Sequence, residues 1–178
     1  MIRHLTWTLR LALLGHLTGV VMAILGVSML PSALIAEFDG TPDAPGHWAA
    51  LGLSVVVGLL LFLVTRRAAR HTQLGHREGF LIVAVGWAVA GVVGALPYYL
   101  YAHLSPTDIC GVAAALPAGA KLPIGVEFCS FTNGVFESAS GFTTTGASII
   151  SDGLWTDYGF TADGRPGLPR GILFWRSM

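Results

Sequence analysis

The chain has 178 residues, 53% of them hydrophobic and 11% charged, with a mean hydropathy of +0.67 and a formal net charge of zero. A soluble domain carries about 25% charged residues; less than half of that in so apolar a chain excludes an ordinary water-soluble globule and points to a bilayer as solvent. Zero net charge gives no bulk attraction for nucleic acid, and the length suits one membrane unit of a few spans.

Three long uncharged runs come first: Leu11 to Ala36, interrupted late by Pro31; Trp48 to Thr65; and Gly79 to Leu104. A spanning helix needs about 20 apolar residues, so each run predicts a span. Arg3 and Arg10 precede the first run as they would a secretory signal, but its apolar stretch exceeds the roughly 7–15 residues of a signal core, and a retained span is expected. Arg66, Arg67, Arg70 and Arg77 lie between the second and third runs. Glu37, Asp39 and Asp43 lie between the first and second, without Lys or Arg. The positive-inside rule then puts the N-terminus and the arginine loop in the cytoplasm, and the acidic loop and everything just after the third run outside. Small residues four apart (Gly15 and Gly19, Gly86 and Ala90, Gly91 and Ala95) predict close helix packing. His16 is read as a packing residue within a span. His4, His47, His71, His76 and His103 are read as interfacial, and Trp7, Trp48, Trp87 and the Tyr98, Tyr99, Tyr101 group as headgroup-level anchors.

After Leu104 the pattern changes. Residues 105–126, with Pro106, Pro117 and Pro123, read as an external loop carrying a short helical piece over Gly111 to Leu116. Cys110 and Cys129 match no metal pattern; two free thiols and a disulfide on an oxidising side of the membrane both stay open. Glu127 to Ser140 suits a helix of about 21 Å at 1.5 Å per residue, too short and too polar to span. A glycine–threonine stretch follows, then a polar segment from Ser151 to Arg170, then an apolar start at Gly171 to Trp175 that reads as another span beginning where the chain stops.

A half-length helix between two external loops can enter from outside and return as a re-entrant loop. Irregular backbone at membrane depth is tolerated only in a protein core or against a water-filled cavity, so Phe142 to Ala147 is expected to face one of these. The carboxyl end of the preceding helix carries partial negative charge, which suits a cation. Threonines in extended form can turn carbonyls toward an axis, and Gly141 and Gly146 permit angles that a side chain forbids. Rings of carbonyls replace the hydration shell of potassium in filters. Clustered carboxylates for calcium or magnesium are lacking, and so are the paired carboxylates, metal cluster or activated nucleophile of a membrane enzyme.

The segment Phe136-Glu137-Ser138-Ala139-Ser140-Gly141-Phe142-Thr143-Thr144-Thr145-Gly146-Ala147 resembles the first pore loop of TrkH-type potassium uptake proteins, in the Trk/Ktr/HKT superfamily. Arg77 to Val83 with Gly94-Ala95-Leu96-Pro97, and Ile172 to Met178, resemble the third helix and the helix after the filter. The resemblance implies an all-α membrane protein: three transmembrane helices, a re-entrant pore helix with its filter loop, and the start of a further helix. Residues 1–78 would be two leading helices with a cytoplasmic basic loop, and 79–178 the first of four helix–pore loop–helix repeats, incomplete at its C-terminus. Carbonyls of Thr143, Thr144, Thr145 and Gly146 would line a quarter of a potassium path, with Thr144 and Thr145 foremost. Gly146 matches a glycine whose replacement by serine goes with sodium transport in plant relatives. Gly141 and Glu137 would support the filter, with Arg176 a candidate partner for Glu137. The implied function is potassium uptake across a bacterial inner membrane, symporter- or channel-like, with the remaining repeats, a homodimer and a cytosolic TrkA-type nucleotide-binding regulator as partners. The alternative is a truncated, non-conducting membrane scaffold or remnant. The stretch from Pro97 to Phe136 is longer than is usual in bacterial members.

Overall fold

A computed structural model describes the chain apart from residues 1, 70–74, 121 and 151–166, and gives only the backbone of residues 2–10, 68–69 and 77–78. Arg70, His71 and most of the polar segment before Arg170 therefore lie outside the described residues. The regular elements among the described residues are all helical: α1 (Ile2–Ser28), α2 (Leu30–Asp39), α3 (Ala44–Ala69), α4 (His76–Gly94), α5 (Leu96–Leu104), α6 (Ile109–Ala115), a 3-10 turn (Val126–Cys129), α7 (Phe131–Phe142) and α8 (Arg170–Ser177). Among the described residues, three stretches are long and apolar enough to cross a membrane: Leu11–Asp39, Ala44–Arg67 and Gly79–Leu104.

Two of these spans are each built from two helices, and proline is the reason. Pro31 and Pro97 sit in the first turns of α2 and α5. Proline lacks the N–H that would continue the ladder, and its ring crowds the carbonyl four residues back. The breaks fall at Met29 and Ala95, both fully buried. α2 then stops at Gly40, whose φ of +63° closes the helix as its N–H and that of Thr41 bond the carbonyls of Glu37 (3.2 Å) and Ala36 (3.0 Å).

α1 lies along α3 with the backbones in contact. A Cβ on Gly19 would fall 2.7 Å from the Gly58 carbonyl oxygen and from Phe62 N, and one on Gly58 would fall 2.7 Å from Ala23 N. His16 stacks on Phe62 at a centroid distance of 4.4 Å. The expected Gly86 pairing is not seen: a Cβ there meets no described atom within 4 Å.

α5 packs on α3 and the 3-10 turn. Its Tyr98 and Tyr101 are core residues, not headgroup anchors; Tyr98 is 1% exposed and meets Phe128 ring to ring at 5.0 Å. His47 is likewise inside α3 and fully buried rather than interfacial. Trp48 and Trp87 are exposed, as anchors would be. Of the two readings of the cysteines, the disulfide is the one formed: Cys110 on α6 joins Cys129 at the end of the 3-10 turn. The short helix lies over Ile109–Ala115, started by Asp108, whose carboxylate accepts from Gly111 N.

Candidate functional site

The short helix before the glycine–threonine stretch is α7, Phe131–Phe142, and not Glu127 to Ser140. Residues 126–129 form the 3-10 turn instead, with Phe128 buried under Tyr98, and Ser130 N-caps the helix in extended backbone. Asn133 fixes the join by donating its side-chain amide to the Glu127 carbonyl at 2.8 Å. The C-terminal half of α7 lies against the middle of the third span. Ser138 Oγ donates to the Ala90 carbonyl at 3.4 Å, and a Cβ on Gly94 would overlap Ser138 Oγ and lie 2.7 Å from the Phe142 ring. Gly94 is therefore required to be small for this crossing.

α7 ends in a tight reversal. Thr144 N donates to Gly141 O (3.0 Å) and Thr145 N to Ser140 O (3.1 Å), with Thr144 at a φ of +54°. That is a Schellman closure with threonine where glycine is usual. A β-branched residue with positive φ is rare and costs on the order of 1–3 kcal/mol, a form of strain that clusters at functional sites. Gly146 also has a positive φ, +74°. Gly141 does not; it lies within α7, and its smallness matters instead for approach to α8, where a Cβ would stand 3.4 Å from the Arg176 carbonyl. Thr143 and Thr144 are not extended as expected: Thr143 has φ −87° and ψ 1° and Thr144 a φ of +54°, because the helix closure reaches into them. Thr143 Oγ1 donates to the Ala139 carbonyl (2.7 Å) and meets Thr145 Oγ1 (2.7 Å), while Thr144 Oγ1 donates to the Thr143 carbonyl (2.7 Å). Thr143 to Gly146 are all exposed.

Beyond Gly146 the chain runs back beside α7. Ser140 Oγ donates to the Ala147 carbonyl, and Ser148 Oγ (2.7 Å) and Ile149 N (2.6 Å) both donate to Glu137 Oε1. Glu137 is fully buried. Its other oxygen accepts from Arg176 Nε on α8 at 2.5 Å, and Arg176 Nη2 donates to the Ala147 carbonyl at 2.9 Å. Glu137 and Arg176 thus join α7, the return limb and α8 at one point. Trp175 of α8 adds an indole hydrogen bond of 2.9 Å to the Gly94 carbonyl, at the α4–α5 break, and an edge contact with Phe142.

Three contributors were not singled out in the sequence. Ser140 and Ser148 are serines in a polar stretch, and nothing marks them without the return limb in view. Asp43, read only as a loop charge, is fully buried and accepts from Ile172 N in the first turn of α8 at 3.1 Å. An aspartate just before a helix is a residue type that caps helices, but that local signal does not point to a helix 129 residues further on.

No family model matches the chain. Among curated proteins it is similar to the Trk system potassium uptake protein TrkH of Halomonas elongata, 33% identical over 172 residues, covering 93% of this chain and 27% of that protein. It is also similar to TrkG of Escherichia coli, 25% identical, covering 91% of this chain and 26% of that protein. The crystal structure of the potassium transporter TrkH from Vibrio parahaemolyticus superimposes with a TM-score of 0.66 at 25% identity, covering 93% of this chain and 28% of that one. The chain spans about a quarter of the length of these relatives.

Proposed function

We propose that this chain, a relative of the TrkH-type potassium uptake proteins over nearly its whole length, supplies one of the filter loops through which such a transporter passes potassium, with carbonyls of Thr143, Thr144, Thr145 and Gly146 as ligands. The observation that carries this reading is the reversal at 143–146. It sits exposed at the carboxyl end of α7, a helix that bonds the third span through Ser138 and Ala90. Twelve residues of α7 extend about 18 Å, enough to enter a bilayer partway and not to cross it, and the return limb runs back along the same helix. The negative end of the helix points at the turn, which suits a cation, and potassium is the cargo that the relatives' names carry.

In this reading residues 79–178 belong to the first helix–pore loop–helix repeat, residues 1–78 are two leading helices, and further repeats complete the ring around the path. The membrane is the bacterial inner membrane, with the N-terminus cytoplasmic. The disulfide between Cys110 and Cys129 supports that orientation, because such bonds persist on the oxidising side. A homodimer and a TrkA-type nucleotide-binding regulator are the partners this reading adds. Chemistry on a substrate is not part of it, since the related proteins are transporters and not enzymes.

The test is growth at low potassium of cells lacking their own uptake systems, expressing the complete transporter that carries this segment. Rescue is expected. Gly146→Ser is expected to weaken discrimination against sodium by about ten-fold, a difference of about 1.4 kcal/mol between the ions. No rescue by well-inserted protein would favour a non-conducting scaffold, and unchanged selectivity would remove Gly146 from the filter.

A further inference from the structure

Asp43 stands far from the filter loop in sequence and on a different element, yet it holds the helix that carries Arg176. Its side chain is fully buried. Oδ2 accepts from the backbone N–H of Ile172 at 3.1 Å and lies 3.5 Å from His47 Nδ1, which is itself 3.1 Å from the Asp43 carbonyl. The first N–H groups of a helix have no partner within it, and a carboxylate there also meets the positive end of the helix dipole. The approach is close. A Cβ on Gly171 would overlap Asp43 Oδ2 and fall 3.0 Å from both Ala36 Cβ and the Ser32 carbonyl. A neighbouring contact between Arg170 and Asp39, the last residue of α2, 3.4 Å, ties the start of α8 to the same region at the surface.

Arg176 lies four residues, about one turn, beyond Ile172 on α8. Its guanidinium bonds Glu137 and the carbonyl of Ala147, the residue directly after Gly146. A slip of α8 by one residue would move Arg176 by about 1.5 Å and turn it by about 100°, which would take it off both partners. We propose that Asp43 is a positioning residue for the filter: it fixes the register of α8, and so fixes Arg176 against the return limb of the loop. The inference rests on the reading of residues 143–146 as a filter.

The experiment uses the complete transporter, with potassium half-saturation, maximal rate and potassium-over-sodium preference measured for inserted protein. Asp43→Ala removes the acceptor for Ile172 N. An about five- to ten-fold loss of potassium preference is expected, with maximal rate less affected. Asp43→Asn keeps a carbonyl acceptor and is expected to restore preference to within about two-fold. Since Asp43 acts through Arg176, Asp43→Ala added to Arg176→Ala should change preference no further. If Asp43→Ala does not insert, Gly171→Ala probes the same contact by pressing one methyl against Oδ2, with the same shift expected. Unchanged preference in Asp43→Ala and Gly171→Ala, loss in Asp43→Asn equal to that in Asp43→Ala, or losses that add to that of Arg176→Ala would each overturn the inference. Gly146→Ser run alongside separates the two readings: if it alters preference while the Asp43 variants do not, the filter reading stands and the positioning role falls; if it too has no effect, the filter reading falls first.

Discussion

Glu137 is the residue on which the local geometry around the loop depends most. Fully buried, it uses one oxygen for Ser148 and Ile149 and the other for Arg176, whose side chain is 11% exposed. A buried ion pair with a well-packed surround adds little net stability, because desolvation offsets attraction; removing one partner is different, since the other charge is left buried and uncompensated, at about 3–5 kcal/mol. Glu137→Gln should therefore lower the unfolding temperature of the solubilised protein markedly, by more than a surface substitution would. Adding Arg176→Gln should recover part of the loss, because no unpaired charge then remains. A double variant as unstable as the sum of the singles would mean that the two side chains act independently. Thr144 carries the opposite sort of feature: a strained φ held in place by the two hydrogen bonds of the helix closure.

At the scale of elements, close backbone contact is the organising fact. α1 and α3 touch through Gly19 and Gly58, and α7 crosses α4 at Gly94. Helices in lipid gain little from burying apolar surface, so association rests on packing that small residues allow. Gly19→Val has no space to enter, with Gly58 O and Phe62 N both 2.7 Å from the first added carbon. Overpacking of this kind costs about 1–3 kcal/mol, and thermal unfolding of the purified protein should show it; a neutral result would mean that the helices cross elsewhere. The Gly15–Gly19 spacing made this contact legible beforehand, and hydropathy made the three spans legible, because both are properties of contiguous sequence. The Gly86 spacing meets no partner among the described residues, since a small residue permits an approach without causing one. The burial of Tyr98 and Tyr101 was hidden for a related reason. Aromatic residues near a span end suit a membrane interface equally well, and only the fold of residues 124–131 over α5 decides between the two. The start of α7 was misplaced because residues 127–130 are compatible with a helix, and the packing of Phe128 on Tyr98 overrides that preference. Glu137 and Arg176 could be paired in advance as the two ionisable groups near the loop. The bond from Ile172 N to Asp43 crosses 129 residues and leaves no local pattern.

At the scale of the whole molecule, three separate features bear on which side of the membrane each loop occupies. Arg66 and Arg67 end the second span. Glu37, Asp39 and Asp43 lie at the opposite end of that span, beside the start of α8. The stretch after the third span holds the disulfide. With three spans, the acidic turn and the disulfide fall on one side and the arginines on the other, and an oxidising outside is where a disulfide persists. The bond links residues 19 apart in sequence, so its loss should destabilise the α6 to 3-10 segment by about 3 kcal/mol. In intact cells expressing the protein, a membrane-impermeant maleimide should label neither cysteine until an impermeant reductant is added, and both afterwards. Cys110→Ser should leave Cys129 open to the same reagent without reduction. Labelling of the native pair before reduction would mean free thiols, and labelling of Cys110→Ser only after permeabilisation would place this loop inside and reverse the orientation. On the proposed reading of residues 143–146, that turn would then be entered from the cytoplasm, so this measurement decides which face the proposed filter loop opens to.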